Sequence, residues 1–548
     1  MIKNLMLMVL IVGSILPSLV ESKSEQNYYP LTRLTDSGRL QFTIRSQVFP
    51  IPLNKLHSWT VKITKVDGDP VQPLEILIDG GMPRHQHGLP TQPTITRYQG
   101  NGEYLIEGLQ FQMEGVWQLR FKCLDDNGWD QIIFKILVGA DKIEQSSGWS
   151  DSELAVLKSL WIGSIPKLPS DPSNAMADNL QAARFGHKIF FDPGFSRNQQ
   201  VSCATCHRPE QHFTDGKKQS KGLSKVNRNA PSLVGVAYNR WFYWDGRRDS
   251  LWAQALAPFE AAQEMGITRV EVLKIIATQP GYHNAYQQLF GPLPEWITQN
   301  TSTVKAASPI GSDNEKLAWK TIPPRDKRAI NTAFANIGKA IAAYERKLLP
   351  TLALFDRYID TLLNQGNEKA QSLLTPQQQT GMKLFIGGDT QCLTCHNGPL
   401  LTNQSFHNIG TVLNADNIQD MGRILGIQSV LLDQFNCQGR YSDTPQEQCD
   451  HLLYINRHEI GALMNGAFKV PSLRNVHNTA PYMHDGRFAS LLEVLKHYQN
   501  PPDKTQRIHE ISKLDLSTKD LENIAAFLKT LSVPIITSTE WLKPPVHQ

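Results

Sequence analysis

Past its first two dozen residues the chain has no apolar run approaching the roughly eighteen residues that a membrane-crossing helix needs, so no later segment is expected to span a bilayer. It also lacks an excess of either charge. Lys plus Arg number 55 and Asp plus Glu 51, which leaves no global field to recruit nucleic acid or an anionic membrane, so partners must be chosen by local patches. Cysteine is scarce, with seven in 548 residues, and a chain of this length buries several cores without disulfide staples. What it does have at the start is Lys3, an apolar stretch from Leu5 to Val20, and the small residue Ser22. That order reads as a secretory signal peptide over 1–22, with an uncleaved anchor as the alternative.

Four of the seven cysteines fall in two copies of one pattern, Cys203-Ala-Thr-Cys206-His207 and Cys392-Leu-Thr-Cys395-His396. C-x-x-C-H is the attachment motif of c-type haem: two thiols bond the vinyl groups, and the adjacent imidazole takes the iron from one axial side. Two copies predict two covalently bound haem c groups, attached outside the cytoplasm, in agreement with the leader and with a periplasmic location. Cys437 and Cys449 bracket a short polar loop and in an oxidising compartment are expected to pair. Cys123 is the odd one out.

From 23 to 143 the periodicity is that of strands. Trp59, Val61 and Ile63 alternate, as do Trp117, Leu119, Phe121 and Cys123, then Ile132, Phe134, Ile136 and Val138, with turns at Asp67-Gly-Asp-Pro70, Gly80-Gly81 and Asn101-Gly102. These predict an antiparallel β-sandwich with Cys123 buried and inert. The run Gly81-Met-Pro-Arg-His-Gln-His-Gly88 with Leu109-Gln-Phe-Gln-Met113 resembles YtkA-like domains. Met82, His85 and His87 offer soft sulfur and imidazole to copper; an ordinary edge loop is the alternative. Residues 144–175 read as a linker in which Ser152 to Ile162 can form one helix, and 291–325 as an inserted polar surface loop. The remainder is helical by capping boxes at Thr268 and Thr375 and the apolar stripe Leu521, Ile524, Ala525, Leu528, Leu531. Lys188-Ile-Phe before the first haem motif answers Lys383-Leu-Phe before the second, so we expect two mainly α, cytochrome-c-like units over 176–350 and 351–535, then a tail over 536–548.

Over roughly 178–532 the chain resembles the di-haem cytochrome c peroxidase and MauG superfamily. The resemblance is carried by Phe191-Asp-Pro-Gly-Phe-Ser196, Arg228-Asn-Ala-Pro-Ser-Leu233, Trp244-Asp-Gly-Arg247, Phe468-Lys-Val-Pro-Ser-Leu-Arg-Asn475 and Pro481-Tyr-Met-His-Asp-Gly486. It implies peroxide chemistry at the first haem, with Glu264 as the distal acid, Gln254 as the distal amide, and Trp244 between the haems. It also implies a calcium site made of the Asn229 side chain and the carbonyls of Thr479 and Pro481, oxygen ligands that suit a hard cation.

Two departures from the donor-reduced peroxidases matter. Sixteen residues after His207, where those members carry a histidine that caps the first iron, stands Leu223, so that haem is expected to be open; His212 is the nearest other candidate for a cap. Fourteen residues after His484, at the position of their methionine ligand, stands Tyr498, the MauG-like choice for the second iron, with Met483 and His497 as competitors. MauG's surface tryptophan before the second motif is replaced by Thr390. The expected activity is that of a secreted di-haem peroxidase acting on hydrogen peroxide, with a small cytochrome c or cupredoxin as donor or a protein as substrate. An electron-transfer or copper-handling cytochrome without turnover is the rival.

Overall fold

The computed structural model describes residues 31–545 apart from 49–50, 83–86, 139–148, 301–305, 412–418, 445–448, 454, 456–463, 504–508, 534 and 536. The expected leader and His85 lie outside the described residues.

The N-terminal strands are β1 (Leu31–Leu34), β2 (Leu40–Ser46), β3 (His57–Lys65), β4 (Glu75–Met82), β5 (His87–Gly88), β6 (Thr94–Gly100), β7 (Glu103–Leu109), β8 (Gly115–Asp125) and β9 (Gly128–Val138). They form two antiparallel sheets, β1-β2-β3-β7-β6 and β5-β4-β8-β9. The alternating residues named above turn inward to one core containing Trp59, Val61, Trp117, Phe121 and Phe134, as a half-buried strand requires. Cys123 is fully buried there, and burial pushes its thiol up to about 12. Met82, the sulfur of the copper alternative, is only 4% exposed and packs in the same core beside Gly115, where its thioether serves as a packing group.

Two helical cores follow. In the first, Leu180–Phe191 crosses Pro324–Glu345; in the second, Pro376–Ile386 crosses Thr518–Lys529. A glycine sits at each crossing because the backbones nearly touch. A Cβ on Gly186 would lie 2.0 Å from the Ala340 carbonyl oxygen, and one on Gly381 would lie 1.8 Å from that of Asn523. Each glycine stands two residues before the lysine of the Lys-x-Phe pair, so the repeat read in the sequence is a repeat of this crossing.

Three segments are more ordered than their composition suggests. Within 144–175, Asp151–Leu160 is a helix that buries Leu154, Leu157 and Leu160 in the second core, with the Trp149 indole donating to the Tyr358 hydroxyl. Within 291–325 the surface-loop reading is corrected by two short helices, Glu295–Gln299 and Asp313–Thr321. Ile297 and Trp319 anchor them in the first core, and a Ser312–Glu315 capping box starts the second of them. In the tail, Trp541 is buried in the first core, its carbonyl accepting the Tyr344 hydroxyl. Cys437 and Cys449 form the expected disulfide. No described helix is long and apolar enough to cross a membrane.

Candidate active site

A cavity of about 670 Å³ between the two helical units is lined by His207, Gln254, Tyr243 and Trp244 from one side and by Cys392, Cys395, His396 and Tyr498 from the other. Both motif histidines are set by their backbones. Nδ1 of His207 lies 3.0 Å from the Phe213 carbonyl and Nδ1 of His396 lies 3.0 Å from that of Leu401. A carbonyl only accepts, so each ring donates through Nδ1 and keeps Nε2 as a free base. Burial lowers both imidazoles, His396 to about 4, which holds them neutral as iron ligands must be. The four motif cysteines are unbonded to one another. Paired thiols, a neutral imidazole beside each pair, and one cavity joining the sets fit two haem c groups.

The first unit surrounds His207 with polar groups. Gln254 sits on the helix Leu251–Glu260, and its side-chain oxygen is buried without a hydrogen-bond partner. Four residues on, Pro258 has no N–H, so the Gln254 carbonyl loses its helical partner; the Tyr243 hydroxyl donates to it instead at 3.1 Å. The same proline precedes the tight turn that brings round Glu264, where Met265 and Gly266 N–H groups bond back to Pro258 and Ala261. Burial pushes the Glu264 carboxyl up, opposed by the cation of Arg247. Its charge is felt by Cys203, Cys206 and Tyr243, which places it at the first haem motif. Arg247 lies 3.5 Å over the Tyr243 ring and pairs with Asp245. Leu223 is tied to this segment by its N–H on the Glu264 carbonyl at 2.9 Å and packs beside Gly266, so the position holds an aliphatic side chain with no ligand atom. His212 does not serve as a cap, since its Nε2 accepts from the Asn478 amide at 3.0 Å and faces the second unit.

Trp244 stands between the sets. Its indole donates to the Asn229 carbonyl at 2.9 Å, and its own carbonyl accepts the Lys469 N–H at 2.7 Å, which binds the two units through one residue. Asn229, Thr479 and Pro481 line the same cavity. The Asn229 amide nitrogen donates to the Lys217 carbonyl at 2.7 Å, leaving its oxygen as the donor a cation would use; all three candidate ligands are neutral oxygens.

On the far side Tyr498 lies on the helix Leu491–Gln499, its phenol pushed up by burial and by the neighbouring Cys395 and Cys392. His497 is turned away, its Nε2 donating to the Ile409 carbonyl at 2.7 Å, whereas Met483 lines the cavity. Thr390 is 5% exposed and donates to the Leu384 carbonyl at 2.7 Å, so no surface aromatic stands before the second motif. Sequence reading missed Tyr243, and it missed His407, which lies against Cys395 with its Nδ1 2.6 Å from Glu510. A histidine eleven residues past the motif's His396 carried no spacing signal; Tyr243, adjacent to Trp244, was legible only once Pro258 was seen to strip a helical partner.

Residues 180–362 match the family model described as di-haem cytochrome c peroxidase, and residues 37–122 the one described as YtkA-like. Over these residues the chain is similar to the di-haem cytochrome c peroxidases and MauG proteins. The methylamine utilization protein MauG of Methylorubrum extorquens is 29% identical over 387 residues, covering 70% of this chain and 86% of that protein. The cytochrome c551 peroxidase of Pseudomonas aeruginosa is 29% identical over 354 residues, covering 64% and 79%. A solved structure described as a MauG-like protein associated with microbial copper homeostasis aligns at 24% identity with a TM-score of 0.47, over 70% of this chain and 98% of that one. The match to the di-haem peroxidase model thus follows, in chain order, the match to the YtkA-like one.

Proposed function

We propose that the mature protein is periplasmic, that hydrogen peroxide reacts at the first haem, and that electrons pass between the haems by way of Trp244. The observation that carries this reading is the unpartnered Gln254 side-chain oxygen on the cavity wall that also holds His207, with Glu264, its carboxyl pushed up by burial, on the turn that follows the Gln254 helix. His207 would hold the haem iron, which would supply the redox chemistry. The chain's own residues move the proton: heterolysis needs it taken from the inner peroxide oxygen and returned to the outer one. A carboxyl whose pKa burial raises is suited to both. Gln254 orients the peroxide, and its carbonyl, fixed by Tyr243, holds that helical turn in place. Leu223 leaves the distal face free, so the oxidised protein reacts without prior reduction.

His396 and Tyr498 are the ligands we assign to the second iron. A phenolate is a hard anionic donor that favours ferric iron, where methionine would favour ferrous. That suits a haem which shares an oxidising equivalent, and it points to oxidation of a protein partner as readily as to turnover with a small cytochrome c or cupredoxin. Calcium on Asn229, Thr479 and Pro481 would brace the junction of the units. The copper-handling alternative is weakened by the burial of Met82.

The test is peroxide consumption by the oxidised holoprotein, with and without reduced cytochrome c. Consumption is expected in both; an inert holoprotein with two haems would overturn the enzymatic reading. Tyr498→Phe should shift the absorption and spin state of the second haem alone. An unchanged spectrum would reassign that ligand to Met483.

A further inference from the structure

We propose that the β-sandwich is a fixed shield over the second haem's thioether edge that keeps a globular redox partner away from it. The observations come from both sides of one seam. Leu393, the residue between Cys392 and Cys395, packs against the sandwich core as well as the core of its own unit. One residue beyond the haem histidine, the buried Asn397 accepts from the Asn54 amide at 2.9 Å. Asn54 in turn is fixed by its own N–H on the Phe111 carbonyl at 2.8 Å, inside the sandwich. A third tie reaches the first unit, where Arg240 donates to Gln110 at 3.1 Å. Gly88, at the end of β5, lines the haem cavity itself.

The first motif is built differently. Ala204, between Cys203 and Cys206, packs against its own helical core, which lacks any sandwich residue. The asymmetry therefore belongs to the second haem, and this inference rests on the reading above in which that haem exchanges electrons with the first. A thioether edge covered by a folded domain is separated from a docked protein by the thickness of a sheet pair, on the order of 10 Å. Reduction by a cytochrome moves one electron from its ferrous iron to the ferric second haem and nothing else, so added distance acts directly on the rate. Excluding water from that edge also favours the less charged state of the haem. The shield restricts the second haem to small reductants and to electrons arriving internally past Trp244.

The experiment uses the full-length, fully oxidised holoprotein and its Gln110→Arg, Asn54→Ala double variant, which sets two arginines face to face across the seam and removes the tie to Asn397. Stopped-flow reduction of the second haem is followed with reduced mitochondrial cytochrome c and, separately, with hydroquinone. The expected result is a rise of at least about tenfold in the cytochrome rate on opening the seam, with the hydroquinone rate changed by less than about twofold. Equal cytochrome rates in the two proteins, or a wild-type rate constant already at about 10⁶ M⁻¹s⁻¹, typical of unobstructed protein docking, would overturn the shield. Should the variant fail to fold, hydrogen exchange of the wild type decides: the amides of Asn54 and His396 must be protected, and exchange at open-loop rates would also overturn it. Peroxide inertness of the wild type, by contrast, would remove the enzymatic reading and leave these seam measurements intact.

Discussion

Residues 242–260 and 482–500 are one device built twice, 240 positions apart. Phe242 bridges to Arg248 as Tyr482 does to Phe488; Asp245 holds Arg247 as Asp485 holds Arg487. Ser250 and Ser490 cap the helices that follow. Among the positions that differ, four face or shape the cavity: Tyr243 against Met483, Trp244 against His484, Gln254 against Val494, and Pro258 against Tyr498. The last pair explains much of the rest. In the second unit the helix Leu491–Gln499 delivers a phenol to the cavity. In the first, proline stands at that position, offers no ligand atom, and is followed by the turn that carries Glu264. One backbone thus presents a phenol to the cavity in one unit and, in the other, a proline that frees the Gln254 carbonyl for Tyr243.

The sharpest way to break this contrast is Glu264→Gln. The amide keeps the shape but cannot shuttle a proton, so peroxide turnover should fall by about 10²- to 10⁴-fold with both haems retained. Steady-state turnover and haem quantitation check it; wild-type turnover would mean the first unit is not the acid–base site.

Next in size is a test of how the units are held. Arg474 and Asp356, 3% and 0% exposed in their side chains, pair at 2.6 Å, and Arg474 also donates to the carbonyls of Leu160 and Pro399. This one side chain ties the helix Asp151–Leu160 and the loop after the second haem motif to the second core. Arg474→Ala strands a buried carboxylate and two carbonyls and should cost about 3–5 kcal/mol. Denaturant unfolding measures it. A loss under about 1 kcal/mol would mean water replaces the arginine.

The first unit has its own buried charge. Counting five residues from each helix crossing, at Ala340 and Asn523, Glu345 occupies the place that Leu528 fills in the second unit. Burial pushes the Glu345 carboxyl up to about 8 from its ordinary 4.5. Between those values the unfolded chain ionises and the folded one does not, so stability falls as pH rises, by roughly 1.4 kcal/mol per pH unit at most. Glu345→Gln should therefore raise the melting temperature more at pH 8 than at pH 4.5. An equal shift at both would show that the carboxyl is charged in the native state.

The parts legible in the sequence were those with a fixed spacing or period: both C-x-x-C-H motifs, the alternating strands that became the sandwich core, the paired Cys437 and Cys449. Glu264, Gln254 and Trp244 came by resemblance; the structure sets Gln254 and Trp244 on one cavity wall and Glu264 on the turn after the Gln254 helix. What was not legible depends on the third dimension. Polar composition hid Trp319 and Trp541 as anchors, because one aromatic in a hydrophilic stretch carries no periodicity. Met82 looked like a ligand beside two histidines, yet strand alternation turns it inward. The seam at Leu393 joins residues hundreds of positions apart in sequence.

The smallest effect isolates the proline. In Leu251–Glu260 the Gln254 carbonyl is satisfied by Tyr243 only because Pro258 cannot satisfy it; in the second helix the Val494 carbonyl has the Tyr498 backbone available, and the residue facing it is Met483, which has no hydroxyl to give. Tyr243→Phe should then leave a buried carbonyl unpaired and cost about 1–3 kcal/mol. In a Pro258→Ala background the new N–H can close the helical bond, so the same Tyr243→Phe change should cost less than about 0.5 kcal/mol. The coupling energy of this double-mutant cycle, obtained from urea unfolding, is the measurement. Additive costs would mean that Tyr243 acts through Arg247 alone and that the two helices differ for a reason other than the missing N–H.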